Sequence, residues 1–316
     1  MHLRVMHLLF LLIVSSNFLL AQQASGKHYK INKYRTIYLP LGDISFADKL
    51  VEYKVGDPAP SRKNRDSTQC LNEPNYVDYT TPNFISLGCG GILILEFTNN
   101  GFMNLKGDDL YIFEVAPSRE SMRIDVSTDG LEWFYAGQVS GGASAIELSD
   151  FNIETDAVFY FVRITDLKDT CNGKSSGADI DAVGAINSVI KLSIDANVLF
   201  DVAKSELIEE AKYTLDSVAG VIHQIDKATI LVEGHTDSDG GVYYNQGLSE
   251  RRCLAVQKQM KLLLANLGSY DYDITGYGEH KPVAPNDTKE SKKLNRRVEI
   301  TVLPPKEYFE SLDQKN

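Results

Sequence analysis

The sequence predicts two domains of different class: an all-β half of sandwich, jelly-roll type, then an α/β half whose strands and helices run in β-α-β-α-β order. Three observations carry this. A chain of 316 residues is long enough for about two domains. Between residues 30 and 190, short β-branched and aromatic runs are broken by Gly, Asn and Asp, and no 3.6-residue period appears. After residue 190, apolar residues recur at helical spacing between buried-strand patterns. The chain divides into a leader at 1–21, a segment at 22–35, the β half at 36–188, the α/β half at 189–304 and a polar tail at 305–316.

The leader has the layout of a secretory signal. Arg4 precedes apolar residues 8–14 and 18–20, and Ala21 is a small residue at a cleavable position. Ser15, Ser16 and Asn17 interrupt the apolar run, which is too short for a bilayer span of about 20 residues; an uncleaved anchor is the alternative. No cysteine lies near the cut to take a lipid. Lys and Arg number 32 against 43 Asp and Glu, a formal charge of -11. A nucleic-acid partner is not expected, because such binders neutralise phosphates with a basic face.

In the β half, strands are expected at Ile92–Phe97, Leu110–Val115, Met122–Ser127 and Val158–Ile164, next to turn signals such as Asn99-Asn100-Gly101 and Asp129-Gly130. Export allows a disulfide among Cys70, Cys89, Cys171 and Cys253. Cys89 with Cys171 is the expected pair, since both stand in Gly-rich turns beside strand patterns. No cysteine pair has metal-type spacing.

In the α/β half, Val198-Leu199-Phe200 reads as the end of a strand. Leu207, Ala211, Leu215, Val218 and Ile222 form one helical stripe, and Thr229–Glu233 reads as a buried strand. A second helix carries Leu248, Val256, Met260, Leu263, Leu264 and Leu267; Tyr272–Tyr277 and Arg297–Val302 complete the strands. One constellation stands out. Gly234-His235-Thr236-Asp237-Ser238-Asp239-Gly240 closes the buried strand, Tyr244 to Arg252 opens the second helix, and Asn295-Arg296-Arg297-Val298 leads into the last strand. A ligand bearing both an ammonium and a carboxylate would be gripped by the Asp237 carboxylate and the Arg252 fork. A calcium loop starting at Asp237 is disfavoured, because its twelfth position is Leu248 rather than Glu. His235 reads as a buried, hydrogen-bonded residue rather than part of a hydrolytic site.

At these residues the chain resembles the OmpA-like C-terminal domain, a peptidoglycan-anchoring module. The resemblance spans about residues 190–304 and rests on Asn197–Asp201, the Gly-His-Thr-Asp run, Leu248-Ser249 to Arg252, Gly276-Tyr277-Gly278-Glu279 with Pro282, and Asn295-Arg296-Arg297-Val298. It implies that Asp237 and Arg252 hold the diaminopimelate of a wall stem peptide, with Thr236, Asn245, Leu248 and Arg296 around the same pocket. Cys253 departs from the family's small alanine and is expected to pack as a compact apolar residue.

The strand ends of the β half collect acids. Asp179 and Asp181 alternate and would share a face of an extended segment. With Asp108 and Asp109 they could hold a hard cation such as Ca²⁺, or act separately as turn caps. This half is similar to galactose-binding-like cell-surface domains, on Ser86–Gly91, Gly107–Glu114, Val126–Trp133 and the Gly177–Ile186 run. That resemblance implies architecture rather than an activity. Trp133 reads as a core residue, with stacking on a sugar as the alternative.

The expected function is that of an exported, non-enzymatic envelope protein of the periplasm and outer-membrane face. Its α/β half would bind peptidoglycan without covalent bonding, and its β half would present a surface to a carbohydrate or an envelope protein. Two alternatives remain: a porin-type β-barrel in the first half, opposed by the continuous apolar runs at 92–95 and 159–162, and a wall hydrolase pairing Asp108, Asp109 or Glu114 with Asp179 or Asp181.

Overall fold

In the computed structural model, the described residues are 26–303 except 33, 79, 82, 106, 116–119, 142–143, 154–156, 170, 172–175, 224 and 226. The expected leader at 1–21 and tail at 305–316 lie outside them. The chain forms two compact units, one ending at Val189 and the next beginning at Ile190.

The first unit carries β1 (Lys27–Lys30), β2 (Thr36–Leu39), β3 (Lys49–Lys54), β4 (Ile85–Ser86), β5 (Ile92–Glu96), β6 (Asn100–Met103) and β7 (Leu110–Glu114). Next come β8 (Ser121–Ser127), β9 (Phe134–Ser140), β10 (Ala145–Ile146), β11 (Val158–Phe159), β12 (Phe161–Asp166) and β13 (Asp179–Ala185). One sheet has the order β3-β5-β12-β8-β9 and another β10-β7-β13-β4, antiparallel throughout. Both supply one core, with Leu93, Leu95, Ile124, Val126, Val162 and Ile164 from the first and Ile112, Ile180 and Val183 from the second. The apolar run at 92–95 is not buried on both sides. Leu93 and Leu95 face the core, while Ile92 and Ile94 lie half-exposed on the outer surface. Trp133 is likewise half-exposed rather than core, its ring covered by the Arg163 guanidinium 4.5 Å from the centroid. Strands from β1 to β13 are at most 7 residues long, below the roughly 9–11 that a membrane barrel requires.

Cys89 and Cys171 form a disulfide across 82 residues of sequence. Beside it, the Asp166 carboxylate accepts hydrogen bonds from the N–H groups of Gly90, Lys168 and Ala178. One side chain thereby joins three turns whose amides would otherwise lack partners.

The second unit is built from β14 (Ser188–Asp195), α1 (Ala211–Ile222), β15 (Lys227–His235), α2 (Val242–Leu264), β16 (Ser269–Gly278), α3 (Lys289–Asn295) and β17 (Arg297–Leu303). Its strands lie in the order β14-β17-β15-β16, with β15 and β16 parallel and the other pairs antiparallel. The strand expected to end at Phe200 ends instead at Asp195; a 3-10 turn at Ala196–Val198 follows, and Phe200 forms only an isolated bridge to Leu207. Ile190, Leu192 and Ile194 already show the two-residue period of that strand.

The seating of α2 on the sheet depends on two glycines paired across β15 and β16, Gly234 and Gly276. A Cβ on Gly234 would lie 2.6 Å from the Ser249 carbonyl oxygen and 2.7 Å from Cys253 Sγ, and one on Gly276 would lie 2.5 Å from the Glu250 nitrogen. Bare backbone at both positions lets the first turns of α2 approach the end of β15. Cys253 is fully buried there and its thiol donates to the Thr275 carbonyl.

Candidate functional site

Thr236 and Asp237 follow the last residue of β15, where the chain leaves the sheet. The Thr236 N–H donates to the Gly278 carbonyl, and its hydroxyl donates to the Asp237 carbonyl. The buried stripe of α2 begins with Asn245, Leu248, Ser249 and Arg252, three of them polar, and continues with the apolar Cys253, Val256, Met260 and Leu264. The polar part of the stripe faces the strand end. Asn245 Nδ2 donates to the Asp237 carbonyl at 3.3 Å and to Glu279 at 2.6 Å, which fixes the loop backbone. Thr236, Asp237, Asn245, Leu248, Arg252 and Arg296 all line one cleft of about 740 Å³.

The two charged groups read as a zwitterion grip are both buried in this cleft, at 5% exposure for Asp237 and 6% for Arg252. Asp237 already has a cationic partner. Arg296 Nη1 donates to its Oδ2 at 2.5 Å, and the Asp239 N–H donates to its Oδ1. Arg296 is therefore the counter-ion of Asp237, a closer role than that of a surrounding residue. Arg252 Nε donates to the Lys204 carbonyl at 2.9 Å, and the guanidinium lies 5.1 Å from the Phe200 ring centroid. Burial is the main cause holding Arg252 below the ordinary guanidinium pKa; Tyr244 and Asp237 act in the opposite sense and Arg296 reinforces it. Arginine remains a cation under these conditions. Neither Nη nitrogen donates a hydrogen bond among the described residues, so the fork is anchored at Nε with its two outer donors unused.

The paired arginines before the last strand do not act together. Arg297 is buried on Glu299, Nε to Oε1 at 2.6 Å, and Lys191 approaches the same carboxylate at 3.4 Å. His235 is buried but not hydrogen-bonded. Its ring stacks on Tyr277 at 5.4 Å and neither nitrogen has a hydrogen-bond partner among the described residues. Burial, followed by the Arg297 charge, pushes its pKa down to about 3, which keeps it neutral.

Other contributors were not legible as site residues. Lys292 bonds Asp239 at 2.7 Å, and Asn286 Oδ1 accepts from the Ser238 N–H, so α3 and the loop before it are fastened to the loop after β15. Helix α3 was not anticipated. It has seven residues and no apolar stripe, and its one local signal is the Thr288–Ser291 capping box.

The acids of the β half do not assemble into a cation site. Asp109 accepts from the N–H groups of Leu105 and Leu148 and from Asn187 Nδ2, Asp179 accepts from the Ser86 hydroxyl, and Asp181 accepts from the N–H groups of Asn75 and Tyr76. Asp108 is exposed, with Glu147 and Asp150 as charged neighbours. A bulge between Ile180 and Ala182 interrupts the two-residue alternation at Asp181, and Asp179 and Asp181 are held by different partners. Among the described residues, no three His, Cys, Asp or Glu side chains converge in a metal-binding group. Burial raises these carboxyls, Asp109 and Asp179 to about 7 and Asp181 to about 6. Glu114 is raised to about 8, by burial and then by Glu120 and Asp179.

The ordered motifs around this cleft find a direct counterpart among known families, whose OmpA family model matches residues 199–296. Those residues form an OmpA family domain. Relatives include outer membrane porin F of Pseudomonas aeruginosa, 37% identical over 44% of this chain and 39% of that protein, and outer membrane protein A of Bordetella avium, 38% identical over 36% and 57%. The outer-membrane lipoprotein YfiB of Pseudomonas aeruginosa is 34% identical over 35% of this chain and 66% of its own length. The chain thus spans less than two thirds of these relatives. Among solved structures, the peptidoglycan-associated lipoprotein of Burkholderia pseudomallei is 28% identical over 33% of this chain and 87% of that one, with a TM-score of 0.28. The OmpA family match leaves the first unit outside it. Among the described residues, no helix is long and apolar enough to cross a membrane.

Proposed function

We propose that the OmpA family domain holds the bacterial cell wall without covalent bonding, by gripping the diaminopimelate residue of peptidoglycan stem peptides. The resemblance to wall-anchoring modules implies the polymer, and the cleft supports the chemistry. The carrying observation is the buried Arg252 fork, fixed through Nε with both Nη groups free of hydrogen bonds among the described residues. Such a fork suits a carboxylate bound through two parallel bonds. The Asp237 carboxylate, oriented by Arg296 and the Asp239 N–H, keeps lone pairs for the ligand's ammonium. Thr236 and Asn245 hold the Asp237 backbone, and Leu248 supplies an apolar wall.

In this reading the protein is exported, acts in the periplasm beside the outer membrane and is not an enzyme. The first unit presents a surface to a carbohydrate or protein of the envelope. Co-sedimentation with purified diaminopimelate-containing sacculi tests the anchor: the full chain pellets with the wall, and Arg252→Ala stays in the supernatant with an unchanged circular dichroism spectrum. Equal pelleting of both proteins contradicts it.

A further inference from the structure

The cleft is larger than its charged grip. At about 740 Å³ it falls in the range that encloses a drug-sized molecule rather than one amino-acid head group. One of its lips is apolar and held at a conformational cost. Val202 lines the cleft yet is 85% exposed, and Ala203 beside it has φ of 60°, the left-handed region that a residue with a Cβ avoids. Two cleft residues clamp this turn. Tyr244 donates its hydroxyl to the Ala203 carbonyl at 3.4 Å, and Arg252 donates Nε to the Lys204 carbonyl at 2.9 Å. Tyr244 also lines the cleft and is half-exposed. A strained turn that presents bare methyl groups beside a recognition cleft, pinned by the same arginine that would bind the ligand, indicates a contact the fold maintains for a ligand. Elsewhere the lining is charged and mixed in sign, with Asp239, Asp287, Lys289 and Lys292, and Lys292 is paired to Asp239.

We infer that the lip formed by Val202, Ala203 and Tyr244 is a second subsite, which takes a small apolar side chain on the residue bonded next to the zwitterionic one. The inference rests on the proposed wall-binding reading and adds a sequence preference to it. Its occupant is part of the same peptide because the lip is continuous with the cleft that holds Asp237 and Arg252. Val202 and the Tyr244 ring offer dispersion contacts and desolvation. A methyl group therefore gains where a hydroxyl loses, because a hydroxyl placed there would give up its water.

The test is calorimetric titration of the full chain with free diaminopimelate and with diaminopimelate joined to D-alanine, D-serine or glycine. The D-alanine ligand is expected to bind roughly 3- to 5-fold tighter than the other two, as burial of one methyl group allows. In Val202→Ser, whose position is exposed enough to leave the fold intact, that ratio falls to near one. Equal affinities in the parent protein, or a preference that survives Val202→Ser, overturn the subsite while leaving the anchor reading in place. No binding of any ligand, free diaminopimelate included, overturns the anchor reading and the subsite with it.

Discussion

Arg252 and Asp237 are both buried, and their partners differ in a way that separates the effects of removing them. Arg252 spends one donor on backbone and keeps two for a ligand, so Arg252→Lys should keep the charge and lose most of the binding. Losing a bidentate, charge-assisted pair costs about 3 kcal/mol, roughly 100-fold in affinity, readable by titration with diaminopimelate. Asp237→Asn leaves the partly buried Arg296 guanidinium without its counter-ion, so it should weaken both binding and folding, with Tm as the second readout. The sequence pointed to the charged pair because Thr-Asp after a buried strand and Leu-Ser-x-x-Arg on a helix are local patterns. It did not reveal that Arg296 and Arg297 part company, since that depends on which side of the backbone each leaves where the chain enters β17.

Two glycines and a disulfide set the geometry at the level of elements. Gly234→Ala should push α2 away from β15, because its Cβ would meet backbone and sulfur rather than a flexible chain end. A lower Tm together with lost wall binding is expected; a small-to-large change in a packed interface costs about 1–3 kcal/mol. Reduction of Cys89–Cys171 should destabilise the first unit by about 2–5 kcal/mol, seen as a lower melting temperature with dithiothreitol than without. Strands with two-residue alternation and turn signals were legible close to their true ends: Leu110–Glu114 and Ser121–Ser127 differ from the sequence reading by one residue at one end. Elements defined by tertiary context were not. The bulge at Asp181, the capping of Asp109 by distant amides and the seven-residue helix α3 have no periodic signature, and the pull of the Asn197–Asp201 motif obscured the alternation of β14.

Across the whole molecule, the two units should answer acid in opposite directions. In the first unit Glu114, Asp109, Asp179 and Asp181 have folded pKa values of about 8, 7, 7 and 6, above their values of 3.8 to 4.5 in an unfolded chain. The native state therefore binds more protons between about pH 4 and pH 8, and stability falls as pH rises through that window. The depressed carboxyls of Asp43, Asp66, Asp78 and Asp129 act only below their ordinary 3.8 and leave pH 5–8 untouched. His235 in the second unit has the reverse sign. Its folded value of about 3 lies below 6.5, so its contribution is complete above pH 6.5 and is lost as pH falls toward 3. Trp133 is the single tryptophan and lies in the first unit, so its fluorescence should report a higher Tm at pH 5 than at pH 8. Each kilocalorie per mole gained raises the melting point of a domain this size by roughly 2–4 °C. Hydrogen exchange at Ile230 and Val232 of β15, corrected for intrinsic rates, should show the second unit less protected at pH 5; equal or opposite trends would remove the electrostatic account.

The central claim is that one buried carboxylate and one buried guanidinium read an ammonium and a carboxylate at the end of a single side chain. It is tested most directly by titrating the full chain with two stem tripeptides that differ only in the third residue, diaminopimelate in one and lysine in the other. Lysine keeps the terminal ammonium and lacks the carboxylate that the Arg252 fork would hold, so the account predicts saturable binding of the first and a loss of roughly 100-fold for the second. Equal affinity for the two peptides would contradict it.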